Sequence, residues 1–320
     1  MEKNLYPLKL TSIQKNVIWG GNKLCSNWGK TAADPDTVGE AWLLSVREKE
    51  VCTIENGEFA GKNMWDFIKA NGGAVISENN GGESFPLLIK LIDANDKLSV
   101  QVHPDDEYAK NIENDLGKTE MWYIVEADED SSIVYGLDKG VTKEDFRRYV
   151  EQGETEKALK FQPVKAGEVY FIPSGMVHAI GKGLLIAEVQ QNSDLTYRVY
   201  DYNRRQNDGS LRKLHVEKAF DVTAEFTDEK VRKICFEKGE NGGAIVNCRY
   251  FKVEKITENA VRFANEKSFH SIICLKGEGV IEYNGQDYSV KKGDSWFIPA
   301  GAGVYTLKLN RAEFLISSVN

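Results

Sequence analysis

Cysteine is sparse and unpatterned in this 320-residue chain. Cys25, Cys52, Cys235, Cys248 and Cys274 are odd in number, widely spaced and free of any C-x-x-C pair. That points to a reducing compartment and away from a disulfide framework. Long apolar runs are missing as well. No stretch reaches the ~18 residues of a membrane span. The opening segment, MEKNLYPLKLTSIQKN, lacks the apolar core of a signal peptide. A cytoplasmic location is therefore expected. Positive charge is not in excess: 41 Lys and Arg face 49 Asp and Glu, for a net charge of −8. This argues against general nucleic-acid or anionic-membrane binding, which needs clustered cations. It leaves room for a small phosphorylated ligand held by two or three local Lys or Arg. There is no serine nucleophile elbow, no P-loop and no dinucleotide glycine fingerprint. Histidine is rare too, at four residues, so the setting of each one is informative.

The composition that remains is that of a soluble globular protein, 41% hydrophobic and 28% charged. The length suits two domains, or one large β domain with elaborations. Short segments rich in Val, Ile, Tyr, Trp and Phe alternate with Gly, Asn and Asp turns, and they predict strands. Leu87–Ile92, Ser99–His103, Met121–Glu126, Ser132–Tyr135, Glu168–Ile172 and Leu184–Gln190 are examples. Ile245–Val253, Ser271–Leu275, Gly279–Tyr283 and Glu313–Ser318 extend the pattern. Helix signals are few: Asn63–Ala70, Asp105–Ile112 after Pro104, and the capping box Thr142-Lys-Glu-Asp145. The expected class is mainly β with a minor helical share.

An internal repeat refines this. Lys165-Ala-Gly167-Glu-Val-Tyr-Phe171-Ile-Pro173-Ser-Gly175 matches Lys291-Lys-Gly293-Asp-Ser-Trp-Phe297-Ile-Pro299-Ala-Gly301 at a constant offset of 126 residues. Each copy reads as a turn glycine, an acidic residue, a strand and a Pro-x-Gly turn. Two copies imply two similar β units, barrels or jelly rolls. His178 in the first copy aligns with Val304 in the second, so the second unit cannot build the same site. The expected division is 1–235 for a metal-binding catalytic unit and 236–320 for a degenerate one.

The chemistry-bearing residues cluster in the first unit. Gln101-Val-His103-Pro is followed seventeen positions later by Glu120, within Lys118-Thr-Glu120-Met-Trp, and His178 closes Phe171-Ile-Pro-Ser-Gly-Met-Val-His178. Alone, each is an ordinary structural His or surface carboxylate. Together, two His and one Glu with a position left open form a catalytic-metal set. Gln101, two residues before His103 on a strand-like segment, offers a further oxygen. Zn²⁺ suits mixed N/O donors; Fe²⁺ or Mn²⁺ could take a similar set. Lys118 shares the strand face of Glu120. Lys90 and Glu188 are charges inside apolar strands, costly to bury without partners. Arg198 offers a guanidinium suited to phosphate, or a salt bridge to Asp194 or Asp201. Glu40-Ala-Trp42 reads as core packing, with Glu40 free to face the pocket. His215 and His270 lack ligand context and read as structural.

These residues resemble a known family. Ile18-Trp19-Gly-Gly21, Glu40-Ala-Trp42, Ser99-Val-Gln101-Val-His103-Pro-Asp-Asp, Gly117-Lys-Thr-Glu120-Met-Trp and Ile172-Pro-Ser-Gly-Met-Val-His178 occur in that order. Together they are similar to type I mannose-6-phosphate isomerase of the cupin superfamily, in its short bacterial form. The resemblance implies two cupin-type jelly-roll β-barrel units. It implies one Zn²⁺ per chain on Gln101, His103, Glu120 and His178. It implies catalytic Arg198, Lys118 and Glu188, and substrate contacts from Ser99, Lys90 and Asp194. The segment Asp194-Leu-Thr-Tyr-Arg198 is one residue longer between Asp and Arg than in longer relatives, whose large helical insertion is absent here.

The implied reaction interconverts mannose 6-phosphate and fructose 6-phosphate through a cis-enediol, with a phosphorylated hexose as substrate. The residues leave the base open among Glu188, Asp194 and a metal-bound hydroxide. Two other classes compete. An oxygen-dependent metal-cupin dioxygenase would need a denser His set. A non-catalytic sugar-binding cupin would show a lost ligand.

Overall fold

The computed structural model describes residues 5–47, 49–206, 208–240 and 243–320. Among the described residues the strands form sheets of six, five and nine strands and one two-stranded ribbon, as a mainly β reading expects. The six-stranded sheet runs in the order Val169–Ile172, Glu120–Ala127, Leu184–Gln191, Leu87–Ala94, Ile13–Gly21 and Val38–Leu44. The five-stranded sheet runs Leu159–Pro163, Ser132–Leu137, His178–Ile180, Val100–Val102 and Tyr197–Tyr200. Pairing is antiparallel throughout both.

Alternation decides which face does what. Successive strand residues point to opposite sides. In the five-stranded sheet, Val100, Val102, Val134, Ala179, Tyr197 and Val199 pack on Phe146 and Phe220. Those two rings come from the helices Lys143–Glu151 and Val216–Val222. Burying such a ring contributes about 1.5–3 kcal/mol. Gln101, His178 and Arg198 are thereby left on the opposite face. The central strands Leu87–Ala94 and Leu184–Gln191 are buried along their whole length. This explains their largely apolar sequence and makes the charged Lys90, Asp93 and Glu188 exceptions.

The three expected helices lie within a residue or two of their predicted places, because their caps are local chemistry. Asn63 caps Met64–Asn71: its Oδ1 accepts from the Asp66 amide at 3.0 Å, and its own amide donates to Asp66 Oδ2 at 3.2 Å. Asp105 Oδ1 accepts from the Tyr108 amide at 2.9 Å ahead of Asp106–Glu113. Thr142 and Asp145 form the same reciprocal box before Lys143–Glu151. Three further helices were not expected. Lys23–Trp28 and Val216–Val222 have no side-chain cap to announce them. Asp228–Cys235 does, since Thr227 accepts from the Lys230 amide, and that signal was legible.

The nine-stranded sheet gathers the C-terminal part of the chain: Ala244–Asn247, Phe251–Ile256, Gly303–Val319, His270–Tyr283 and Ser295–Ile298, with Ala260–Ala264 and Gln286–Lys291 on its flanks. Two N-terminal strands, Leu8–Thr11 and Thr53–Ile54, complete it; Leu8 pairs with Phe297 and Leu10 with Ser295. The sheet therefore draws strands from both sides of 235/236. The stretch expected as one strand, Ile245–Val253, is a hairpin instead. It turns at Cys248, whose amide donates to the Phe251 carbonyl at 3.0 Å. Ser271–Leu275 and Gly279–Tyr283, expected as two strands, are one, kinked near Lys276 where the register shifts; Gly277, at φ 68°, carries the kink.

Candidate active site

The six- and five-stranded sheets bring the predicted ligands to one point. His178 stands directly opposite Gln101, and Gln101 directly opposite Arg198, across three neighbouring strands. Glu120 begins its strand on the other sheet, paired with Ile172. His103 follows the strand Val100–Val102, with its carbonyl held by the Gly175 amide at 2.8 Å. The ligand atoms of His103, Glu120 and His178 all lie within 4.8 Å of one another. His103 Nε2 is 3.5 Å from Glu120 Oε2, and His178 Nε2 is 3.4 Å from Glu120 Oε1. The Gln101 amide lies 3.4 Å from His178 Nε2.

The donor chemistry fits a divalent cation. All three side chains are buried, and both His103 nitrogens and both Glu120 oxygens lack a hydrogen-bond partner. Buried polar atoms are rarely left this way without a purpose. His178 Nδ1 donates to the Met176 carbonyl at 2.8 Å, which turns Nε2 toward the cluster as a lone pair. Burial, with Lys118 nearby, pushes the His103 imidazole down to about 3, and burial lowers His178 as well. Burial opposes the Glu120 charge, but Lys118 and the two imidazoles outweigh it and hold the carboxyl well below its ordinary range. Neutral imidazoles and an ionised carboxylate are the metal-binding forms.

A cavity of about 360 Å³ opens beside this cluster, within the ~300–1,000 Å³ span of small-molecule sites. Every predicted non-metal site residue lines it: Lys90, Ser99, Lys118, Glu188, Asp194 and Arg198. Gln101 lines it too, while His103, Glu120 and His178 sit behind the wall. Lys118 Nζ is 3.4 Å from Glu120 Oε2. Arg198 is aimed by two acceptors: its Nε donates to Ser99 Oγ at 3.1 Å and its Nη1 to the Lys213 carbonyl at 3.0 Å. Asp194 is exposed at the rim.

The cavity's far wall carries a row of charges. Trp42 stands opposite Lys90, Lys90 opposite Glu188, and Glu188 opposite Trp122. Lys90 Nζ is 3.4 Å from Glu188 Oε1 and 3.5 Å from Glu40 Oε2. Trp122 Nε1 donates to Glu188 Oε2 at 2.9 Å, and Trp42 Nε1 to Glu40 Oε2 at 2.6 Å. Burial works against the Lys90 charge, yet Glu40 and Glu188 raise its basicity above the ordinary value. Burial and the Glu120 carboxylate push Glu188 up. Glu40, also opposed by burial, is drawn down by Lys90 and the Trp42 N–H.

Some lining residues were missed. Arg212 reaches the cavity from a distant loop, fixed by Asp201 through bonds of 2.7 and 2.5 Å. His215, expected to be structural, also lines the wall, and its Nδ1 accepts from the Arg198 amide at 3.3 Å. Neither lies in a strand or motif that a sequence pattern flags.

Comparison with known proteins points to one family. The family model "phosphomannose isomerase type I, catalytic domain" matches residues 7–121, and "mannose-6-phosphate isomerase, cupin domain" matches residues 243–318. The chain is 37% identical over 318 residues to mannose-6-phosphate isomerase ManA of Bacillus subtilis (strain 168), covering 97% of this chain and 98% of that one. It is 37% identical over 295 residues to a mannose-6-phosphate isomerase of Streptococcus mutans, covering 92% of each. The crystal structure of mannose 6-phosphate isomerase from Bacillus subtilis superposes with a TM-score of 0.86 at 34% identity, over 97% of this chain and 99% of that one. The apo enzyme of Salmonella typhimurium, at 15% identity and a TM-score of 0.73 over 98% of this chain and 99% of that one, shares the fold.

Proposed function

Because the chain belongs to the type I mannose-6-phosphate isomerase family, we propose that it interconverts mannose 6-phosphate and fructose 6-phosphate through a cis-enediol, in the cytoplasm, with one Zn²⁺ per chain. Gln101, His103, Glu120 and His178 hold the ion. Bound there, it supplies Lewis-acid polarisation of the sugar's carbonyl end. Residues 1–235 carry the reaction and residues 236–320 form a degenerate unit, to which residues 8–11 and 53–54 lend strands.

The chain's own residues do the rest. Arg198, held by Ser99 and the Lys213 carbonyl, presents a fixed guanidinium to developing negative charge, and Lys118 lines the same cavity. Glu188 exchanges a proton between C1 and C2 at Oε1. That oxygen receives no hydrogen bond, with the Lys90 ammonium standing 3.4 Å away, while Trp122 holds the other oxygen in place. A carboxyl raised by burial is suited to that exchange near neutral pH. Lys90, Ser99 and Asp194 bind the sugar's oxygens.

The observation that carries the reading is the convergence of three ligand atoms within 4.8 Å beside a cavity walled by Lys90, Lys118 and Arg198. The test uses the purified chain with mannose 6-phosphate, following fructose 6-phosphate and bound metal together. Turnover that disappears on chelation and returns with Zn²⁺ is expected. A chain holding one ion yet leaving mannose 6-phosphate unchanged would sink the proposal.

A further inference from the structure

The buried Lys90 ammonium faces more than one carboxylate. Neutralising Lys90 takes one buried partner, and Glu188 at 3.4 Å is that partner. Glu40 adds a second at 3.5 Å. Glu40 is not loosely placed. It shares a strand face with Trp42, two residues on, and its Oε2 receives the Trp42 indole N–H at 2.6 Å. Each carboxylate is tied to its own indole, Glu40 through the same Oε2 that faces Lys90 and Glu188 through its other oxygen, and the ammonium sits between them.

An ammonium has three N–H donors and no acceptor. Two are drawn toward Glu40 and Glu188. Lys90 lines the cavity, so the third is left for whatever occupies it. We infer that Glu40 is a positioning residue: anchored by the Trp42 indole, it holds the Lys90 ammonium off a closed pair with Glu188, leaving one Lys90 donor and Glu188 Oε1 available to the bound sugar. This rests on the proposed isomerase reading. Without Glu40, Lys90 swings onto Glu188, and both groups are withdrawn from the cavity at once.

Glu40→Gln separates this from a packing role. The expected result is a KM for mannose 6-phosphate raised about 10- to 100-fold, the scale of a misplaced binding group, with bound metal unchanged. A double-mutant cycle adds the specific readout. In a Lys90→Met background, Glu40→Gln should change KM less than about twofold, because the group it positions is gone. Additive effects, or a Glu40→Gln enzyme with wild-type KM and kcat, overturn the inference. If Glu40→Gln does not fold, Trp42→Phe keeps the carboxylate and removes its anchor; it should raise KM in the same direction, and an unchanged KM counts against the inference. A crystal structure of whichever variant folds reads the geometry without reference to any substrate. Lys90 Nζ should move toward Glu188, and an unmoved ammonium overturns the inference even if the isomerase assay succeeds. Failure of that assay in the unmutated chain overturns the functional proposal instead.

Discussion

The two copies of the repeat share a backbone and differ in chemistry. In the first, Gly167 sits at φ 92° and the Lys165 amide donates to Glu168 Oε2 at 2.9 Å. In the second, Gly293 sits at φ 86° and the Lys291 amide donates to Asp294 Oδ2, also at 2.9 Å. Positive φ is what glycine supplies at both turns. The Met176 amide reaches the Pro173 carbonyl at 3.1 Å, and the Ala302 amide reaches the Pro299 carbonyl at 3.2 Å. Even the long-range contact is repeated: the Gly175 amide binds the His103 carbonyl at 2.8 Å, and the Gly301 amide binds the Asn265 carbonyl at 2.9 Å.

That correspondence assigns a counterpart to every proposed metal station. Asn265 stands for His103. Val304 stands for His178, and its cross-strand partner Phe263 stands for Gln101. His270, opposite Ile298, stands for Glu120, opposite Ile172. The second copy thus keeps one ligand-type imidazole among four stations, and His270 Nδ1 is engaged with the Tyr305 hydroxyl at 2.8 Å. Val304 and Phe263, each 58% exposed, face solvent where the first unit has its chemistry. The turns and strands are specified by glycine, proline and the local acid, whatever the side chains at the stations are. Ligand identity is an independent layer laid over them.

Making the first copy like the second is the most damaging experiment. His178→Val, which installs the residue found at the matching station, should abolish metal retention and cut turnover by about 10³-fold or more; metal analysis and the isomerase assay read it together. Arg198→Ala has no counterpart in the second copy. It should lower turnover by about 10²-fold or more while one ion per chain is retained. Normal turnover would remove Arg198 from its role.

Scaffold positions should behave alike in both copies. Phe171 and Phe297 are matched and both buried. Each Phe→Ala change should cost about 3–5 kcal/mol of stability in denaturant unfolding. Val304→Ala, at an exposed station, should stay within ~0.5 kcal/mol. A large cost at Val304 would mean that this face is covered in the folded protein.

A last prediction is a pH signature of the second copy. Burial pushes the His270 imidazole down to about 4. The unfolded chain then binds more protons than the folded one between that value and the ordinary ~6.5. Stability contributed by neutral His270 is complete above ~6.5 and is lost as pH falls toward 4. Subtracting the unfolding curve of His270→Gln from that of the unmutated chain should isolate this slope. A flat difference would show that His270 is free to charge in the folded state.

Local chemistry was legible from the sequence. Asn63, Asp105 and Thr142 marked their helices because a cap is a bond between neighbours a few residues apart. The repeat was legible because turn residues act through their own φ and their own hydrogen bonds. Alternation put Glu188 on the face away from Ala187 and Val189, and the strand register pairs it with Lys90 and Trp122. His103, Glu120 and His178 stood out because rare, metal-competent side chains lay beside strand and turn signals.

Other features depend on contacts that no local pattern encodes. Leu8–Thr11 joins a strand nearly 290 residues away, Leu8 opposite Phe297, which leaves no mark in a short window. Arg212 and His215 enter the cavity because a loop folds back over it, fixed by Asp201 and by the Arg198 backbone. Glu40 could be read as core or pocket until the sheet register placed it beside Lys90. The sequence alone determined which residues could ligate, cap or turn, since these are properties of side chains and near neighbours. Only the tertiary structure decided which of them meet, because a distance between strands is set by register and packing across the whole chain.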